Sequence, residues 1–355
     1  MTALATSPAS STSDQTPVLS HAPIERRIRS QWASIPLLLC LLLCQLGLCA
    51  NSLNRSLSGF VDFRVFYASG HLLAIGNASR LYDPDTQRQA QNSLIAPDSR
   101  TLPFLYPPFA ALLYAPFALL PYKLAFFALA LINLTLLFIV ARWLQRRLNP
   151  SEYLPAWLSP PALALLVPLC LFPVSIALMQ GQTTFLLLLL YTACFLALER
   201  GRSFLAGALL AATLLKFQLT IPIALLFLIW RQGRFLRGFT CGVAALAVLS
   251  FALVGPHGIT HYCASLAHIT SQTLSHPEVA HQQYGMSARE MPNLHGLFVL
   301  LTEAPSHSPT GFPLAYALTA ISSILVFVWA ARQRPSLASL FPQPCWSATT
   351  CSPTT

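Results

Sequence analysis

Apolar runs, each closed off by arginines, constrain this chain more than any other feature. Thirteen of the 21 basic residues fall in five clusters: Arg26/Arg27/Arg29, Arg142/Arg146/Arg147, Arg200/Arg202, Arg231/Arg234/Arg237 and Arg332/Arg334. The stretches between them carry little charge. Only 9% of the 355 residues are charged and 55% are hydrophobic, whereas soluble domains carry about a quarter charged residues. The chain therefore reads as a polytopic membrane protein, and the expected fold class is all-α. The formal charge of +10 does not point to nucleic acid, because small basic clusters between apolar runs are the pattern of topology determinants.

The clusters serve as a ruler. If all five are cytoplasmic, an even number of crossings separates each from the next. The first span is then Trp32–Ala50, entered from the cytoplasmic side after Glu25-Arg26-Arg27-Ile28-Arg29, and Lys123–Val140 returns. Phe104–Leu120 cannot cross. It is bracketed by Pro103, Pro107, Pro108, Pro116 and Pro121, and a span needs about 20 apolar residues. It reads as an interfacial or re-entrant helix on the outer face. Pro155–Met179 and Thr184–Leu198 follow, joined outside by Gln180-Gly181-Gln182.

Phe204–Leu215 and Ile221–Trp230 are broken by Lys216-Phe217-Gln218. Each half is too short to span without thinning or re-entry. Phe239–Val254 then leads to an outer loop over 255–290, a short helix over Leu294–Thr302 and a returning span near Phe312–Ala331. Expected boundaries are a disordered cytoplasmic tail over 1–30, a membrane domain over 31–334 with an outer loop at 51–122, and a disordered, truncated tail over 335–355.

Seven of the eleven acidic residues fall on the outer side in this scheme. Asp62 stands out among them, about a dozen residues past the first span. A carboxylate beside a membrane face is costly unless it is used; the competing reading is an N-cap for an interfacial helix. Tyr67 follows five residues on and either lines the same cavity or belongs to an interfacial aromatic belt. Asp83, between Tyr82 and Pro84, reads as a turn residue.

Lys216, one of two lysines, interrupts an apolar stretch, which argues for an anionic partner over snorkelling. Gln180 and Gln182 are placed either to bind sugar hydroxyls or to cap helix ends. His257 and His261 have metal-ligand spacing for a helix. Gly258 and Pro256 argue instead for solvated loop histidines. Six of the nine cysteines lie in apolar runs and no CxxC pair occurs, so neither a metal site nor a disulfide framework is expected.

Several pieces stand in order along the chain: Asp62-Phe63 with Phe66-Tyr67, Gly76, Leu81-Tyr82-Asp83, Tyr106-Pro107-Pro108-Phe109 with Pro116, and Gly181-Gln182. Ala206-Gly207 with Lys216 and Gln218, and Met291-Pro292-Asn293-Leu294-His295-Gly296, complete the set. Together they resemble glycosyltransferase family 87, the polyprenyl-phosphate-mannose-dependent mannosyltransferases. The departures are His295, where an arginine often stands, and Phe217, where a proline often does.

The resemblance implies a GT-C-type bundle of about 8 membrane helices plus interfacial or re-entrant helices. It implies a hexose, such as mannose, on a polyprenyl phosphate donor and an acidic base in the first outer loop, which lands on Asp62. The expected function is inverting transfer to a lipid or glycan acceptor on the outer face of the cell (inner) membrane, among membrane lipids, with no cofactor. Lys216 is expected at the donor phosphate. Tyr67, Tyr106, Gln180, Gln182, Gln218, Asn293 and His295 are the expected substrate contacts. The alternative is a transporter or flippase, or a non-catalytic membrane protein.

Overall fold

The computed structural model describes residues 22–98, 100–148, 166, 168–275, 297–299, 301 and 311–333. Both expected tails beyond these bounds, and the candidate residues Asn293 and His295, lie outside the described residues. Among the described residues every regular element is a helix. By length and composition five stretches suffice to cross a membrane: Pro36–Leu57, Tyr122–Arg146, Ser203–Ile229, Gly233–Gln272 and Leu314–Arg332.

The first half of the chain builds one end of the bundle. α1 (Ala22–Leu57) leads into α2 (Phe63–Ala74), α3 (Pro84–Leu94) and α4 (Phe109–Tyr114), the last continued by a 3-10 turn over Ala115–Leu119. The helical part of the proline-bracketed segment, Phe109–Leu119, reaches roughly 20 Å at most. That is short of the ~30 Å hydrocarbon core. α2 is almost wholly buried, from Phe63 through Gly70. The Phe63 ring contacts those of Tyr67, Phe117, Tyr122 and Phe126, so α2 is the hub on which α4 and α5 (Tyr122–Leu148) meet.

α6 (Phe172–Gln180) and α7 (Thr184–Glu199) form the next pair. Within the span expected over Pro155–Met179, the chain breaks helix at Leu171, whose ψ is 123°. Pro173 then sits in the first turn of α6, where a missing N–H costs nothing.

The stretch Ser203–Ile229 folds back on itself. α8 (Ser203–Ala212) passes through a 3-10 turn over Thr213–Lys216 into α9 (Phe217–Ile229). Lys216 leaves the helical region at φ −125°, ψ 78°. Thr220 then donates to the Thr213 carbonyl at 2.7 Å, and the two hydroxyls lie 2.8 Å apart. Phe227 of α9 packs in one cluster with Ala206 and Leu210 of α8. On a straight helix Leu210 and Phe227 would stand about 25 Å apart. The pair is therefore a helical hairpin with Lys216 at its tip, and the break expected at Lys216-Phe217-Gln218 is a reversal.

α10 (Gly233–Ser275) runs beside α8. A Cβ on Gly207 would sit 2.0 Å from the Phe235 carbonyl oxygen, and one on Gly238 1.9 Å from that of Phe204. Bare glycines here let two backbones touch, as at other close helix crossings in membranes. The loop expected from residue 255 is instead helix as far as Ser275. Gly255 takes φ +69°, ψ −178°, which kinks the helix, and Pro256 opens its second half. Proline fits a first helical turn, so Gly-Pro is here a kink. Of the helix expected over Leu294–Thr302, residues 297–299 and 301 are described and helical. α11 (Gly311–Arg332) closes the described chain.

The arginine clusters gather at one end. Arg146, Arg200 and Arg202 line one cavity. Gly238 against Phe204 puts the α10 arginines beside them. The Trp230 Nε1–H donates to the Ala331 carbonyl at 3.2 Å, bringing Arg332 to the same end. α1 runs with α6, since Cys170 Sγ–H meets the Leu38 carbonyl and Ser56 Oγ–H the Met179 carbonyl. Its start therefore lies at the arginine end too, and α2, α3 and α4 pack at the other.

Candidate active site

Asp62 occupies the N-cap position of α2, yet its side chain makes no capping hydrogen bond. Its backbone is helical there, φ −57°, ψ −31°, which turns the carboxylate away from the helix end. The α6–α7 turn receives it. Gly181 adopts φ +65° as the left-handed cap of α6, and a Cβ there would lie 2.7 Å from the Phe63 Cβ. Both facts require glycine. The turn thus rests on the first residue of α2 and brings both glutamines to Asp62.

The Asp62 backbone N–H donates to Gln180 Oε1 at 3.1 Å. Gln182 Nε2–H donates to Asp62 Oδ2 at 2.7 Å. Gln182 is itself held, accepting at Oε1 from Thr184 Oγ1–H at 3.2 Å and at its carbonyl from Asn133 Nδ2–H at 3.3 Å. The Asp62 carboxyl is pushed above its ordinary value by burial, opposed by the Gln182 bond and by the charge of Lys216. Asp83 is the contrast. It caps α3 by accepting from the Thr86 N–H and hydroxyl, and those bonds pull its carboxyl below the ordinary value. The two carboxyls are thus shifted in opposite directions, Asp62 up by burial and Asp83 down by its hydrogen bonds.

Lys216, half-buried at the hairpin tip, is close enough for its charge to act on Asp62. Among the described residues the direct ion pair within 4 Å is Arg100 with Asp98, so Lys216 acts on Asp62 through space and not as a direct pair. Tyr106 comes to the same place. Its ring packs edge-on against Phe66 at 5.0 Å, and both burial and the Asp62 charge raise its hydroxyl pKa.

Two further hydroxyls, which the sequence reading did not single out, belong to this neighbourhood. Tyr114 stacks on Phe66 at 4.6 Å, and its electrostatic partners are Tyr106 and Asp62. Thr183 lies within hydrogen-bonding reach of the Tyr106 hydroxyl. Among the described residues the Tyr114 hydroxyl is buried without a hydrogen-bond partner, and a buried group of this kind calls for a water or a ligand. Thr183 had a signal in following Gln182; Tyr114 had none, being one more aromatic in an apolar helix.

Other expected site residues lie apart. The Tyr67 hydroxyl donates to the Leu120 carbonyl at 2.7 Å, tying α2 to the end of the α4 segment inside the core. Gln218 is exposed, two residues beyond Lys216. His257 and His261 lie on α10 with ring centroids 4.3 Å apart, tilted to each other, and among the described residues no group of three His, Cys, Asp or Glu is placed to hold a metal ion.

An apolar groove of about 750 Å³ opens beside the site, lined by Pro107, Pro108, Leu214, Phe217, Leu246 and Phe251 among others. It follows directly on Tyr106 in sequence and flanks Lys216 through Leu214 and Phe217. Asp62, Lys216, the Tyr106 and Tyr114 hydroxyls and the apolar groove thus gather at the same end of the bundle.

The model of the family described as glycosyltransferase family 87 matches residues 104–352. No curated protein and no solved structure matches the chain. The family match takes in Tyr106, the Gln180-Gly181-Gln182 turn and Lys216, while Asp62 precedes it. With well over half its length in that match and an all-helical membrane bundle around it, the chain belongs to glycosyltransferase family 87 and is a membrane glycosyltransferase.

Proposed function

We propose that the enzyme transfers a hexose, such as mannose, from a polyprenyl-phosphate donor to a lipid or glycan hydroxyl, with inversion. The observation that carries this reading is the Asp62 carboxylate, free of any capping role and held by Gln182 within reach of the Lys216 charge, at the end of the bundle where the apolar groove lies. The acceptor O–H gives its proton to Asp62 as its oxygen bonds to the anomeric carbon. The bond from that carbon to the phosphate oxygen breaks in the same step, and the electron pair leaves with the phosphate, beside Lys216. A base opposite the leaving group is the logic of inverting sugar chemistry. The groove suits the isoprenoid chain, and the buried Tyr114 hydroxyl, with Tyr106 and Thr183 beside it, suits the sugar.

The test is incubation of the purified enzyme with radiolabelled polyprenyl-phosphate sugars and nucleotide sugars in parallel. Transfer from a polyprenyl-phosphate hexose is expected. Transfer from nucleotide sugars alone would sink the donor assignment.

Lys216→Met is expected to lower kcat/KM for the donor about 10- to 100-fold, the size of one lost hydrogen bond to a charged group. Lys216→Arg should retain part of it, since the charge stays but the geometry changes. Unchanged donor kinetics in the Met variant would return Lys216 to a snorkelling role.

We place the arginine end in the cytoplasm of the cell membrane, the N-terminus included, and Asp62 on the outer face, following the positive-inside rule. Reporter fusions after Arg147, Arg202 and Arg237 should read cytoplasmic, and one near Arg88 external. An external signal after Arg147 would reverse the scheme downstream.

A further inference from the structure

The arginine end of the bundle carries a second cavity, far along α5, α7 and α8 from Asp62. It measures about 340 Å³ and is lined by Trp143, Arg146, Arg200, Arg202, Leu205 and Leu209 among others. The local sequence explains the clustering. Gly201 takes φ +69°, turning the chain from α7 into α8 within a few residues. Arg200 and Arg202 therefore flank one tight turn, and Arg146 reaches them from the last turns of α5. All three arginines are exposed. Among the described residues no acid lines the cavity; Glu199 adjoins Arg200 in sequence and is outside the lining.

Three guanidinium groups around one hollow leave a positive potential that a phosphate diester matches, because the planar fork donates to two phosphate oxygens at once. The remaining wall is leucine and alanine from α7 and α8, which suits the first carbons of acyl chains. Trp143 stands where an interfacial indole belongs. Basic pockets between membrane helices are places where anionic lipid headgroups bind. We infer that this cavity is a binding site for an anionic phospholipid of the leaflet at the arginine end, separate from the sugar-transfer site.

The experiment is native mass spectrometry of the full-length protein in detergent. Phosphatidylglycerol or phosphatidylethanolamine of the same acyl composition is added. Preferential retention of phosphatidylglycerol by the wild type is expected. Each arginine near an anionic lipid contributes about five-fold in affinity, so Arg146→Gln/Arg200→Gln should weaken retention roughly 25-fold. Arg146→Lys/Arg200→Lys should keep part of it. The pair Arg234→Gln/Arg237→Gln removes the same charge from the same end without touching the cavity and should bind like the wild type.

Equal retention of the two lipids by the wild type would overturn the inference. So would equal losses in the cavity and control variants, which would mean a diffuse field, or displacement of the lipid by millimolar inorganic phosphate. Sugar transfer is not part of the readout, so the result stands or falls independently of the donor assignment.

Discussion

Sugar transfer by Asp62→Asn is expected to fall about 100- to 10,000-fold, with the protein folded and the donor still bound. General-base catalysis is typically of that size, about 3–5 kcal/mol of barrier. Asparagine keeps the shape and can still accept from Gln182, but it cannot take the acceptor's proton. Asp83→Asn is the control. Its carboxylate caps α3, so it should cost about 1 kcal/mol of stability at most and little activity. Near wild-type transfer by Asp62→Asn, with a large loss in Asp83→Asn, would show that the wrong carboxylate has been assigned.

The pH dependence gives a second measure of the same residue. Burial raises the Asp62 carboxyl above its ordinary value of 3.8, and a base works only when ionised. The acid limb of the kcat/KM profile should therefore lie above that value. Gln182→Leu removes a bond that favours the ionised form, so the limb should move higher still. A limb that stays put would remove Gln182 from the Asp62 environment in solution. Linkage fixes the sign for stability. A folded-state pKa above the unfolded one means that stability falls as pH rises between the two values. At neutral pH the ionised Asp62 is a cost, so Asp62→Asn should melt slightly higher than the wild type while transferring far less.

The bundle was legible in the sequence because its determinants are compositional. Arginine clusters and apolar length decide which segments cross, and those are read by counting. The reversal at Lys216 was half legible. The polar triplet marked the break, but its direction depends on Thr213 and Thr220 meeting and on Phe227 joining the cluster of Leu210 and Phe235, contacts that no local pattern encodes. Gly255-Pro256 misled because the same dipeptide that ends helices also allows a kink followed by a fresh helical turn. At the site, Asp62, Gln182 and Lys216 were visible as polar residues in apolar surroundings. Tyr114 and Thr183 were not, because a hydroxyl on a buried side chain looks like core until its neighbours are seen.

Arg64 was the least visible of all, and its loss is expected to be the most damaging to the fold. It sits two residues past Asp62, is 1% exposed, and reads in the sequence as a stray cation of an outer loop. In the fold it is the pin of that loop. Nε–H donates to Gln91 Oε1 at 3.3 Å and an Nη1–H to the Gly59 carbonyl at 3.3 Å. Nη2 donates to Asn92 Oδ1 at 2.7 Å and to the Ala96 carbonyl at 2.5 Å. One guanidinium thus joins the turn before Asp62, helix α3 and the strap that follows it. Its acceptors are all neutral, so removing the cation leaves four oxygens with lost donors, at about 1–3 kcal/mol for each one that stays buried and unpaired. Allowing for relaxation, Arg64→Met should cost about 3–5 kcal/mol, the range for breaking buried charged contacts. Arg64→Lys should recover little, since an ammonium cannot present five donors in a plane. Thermal unfolding in detergent, with limited proteolysis across residues 59–98, reads the loss directly. Transfer should fall with the fold, unlike in Asp62→Asn, where the fold survives. An Arg64→Met protein that melts and resists proteolysis like the wild type would mean that the loop is held by its aromatic contacts alone.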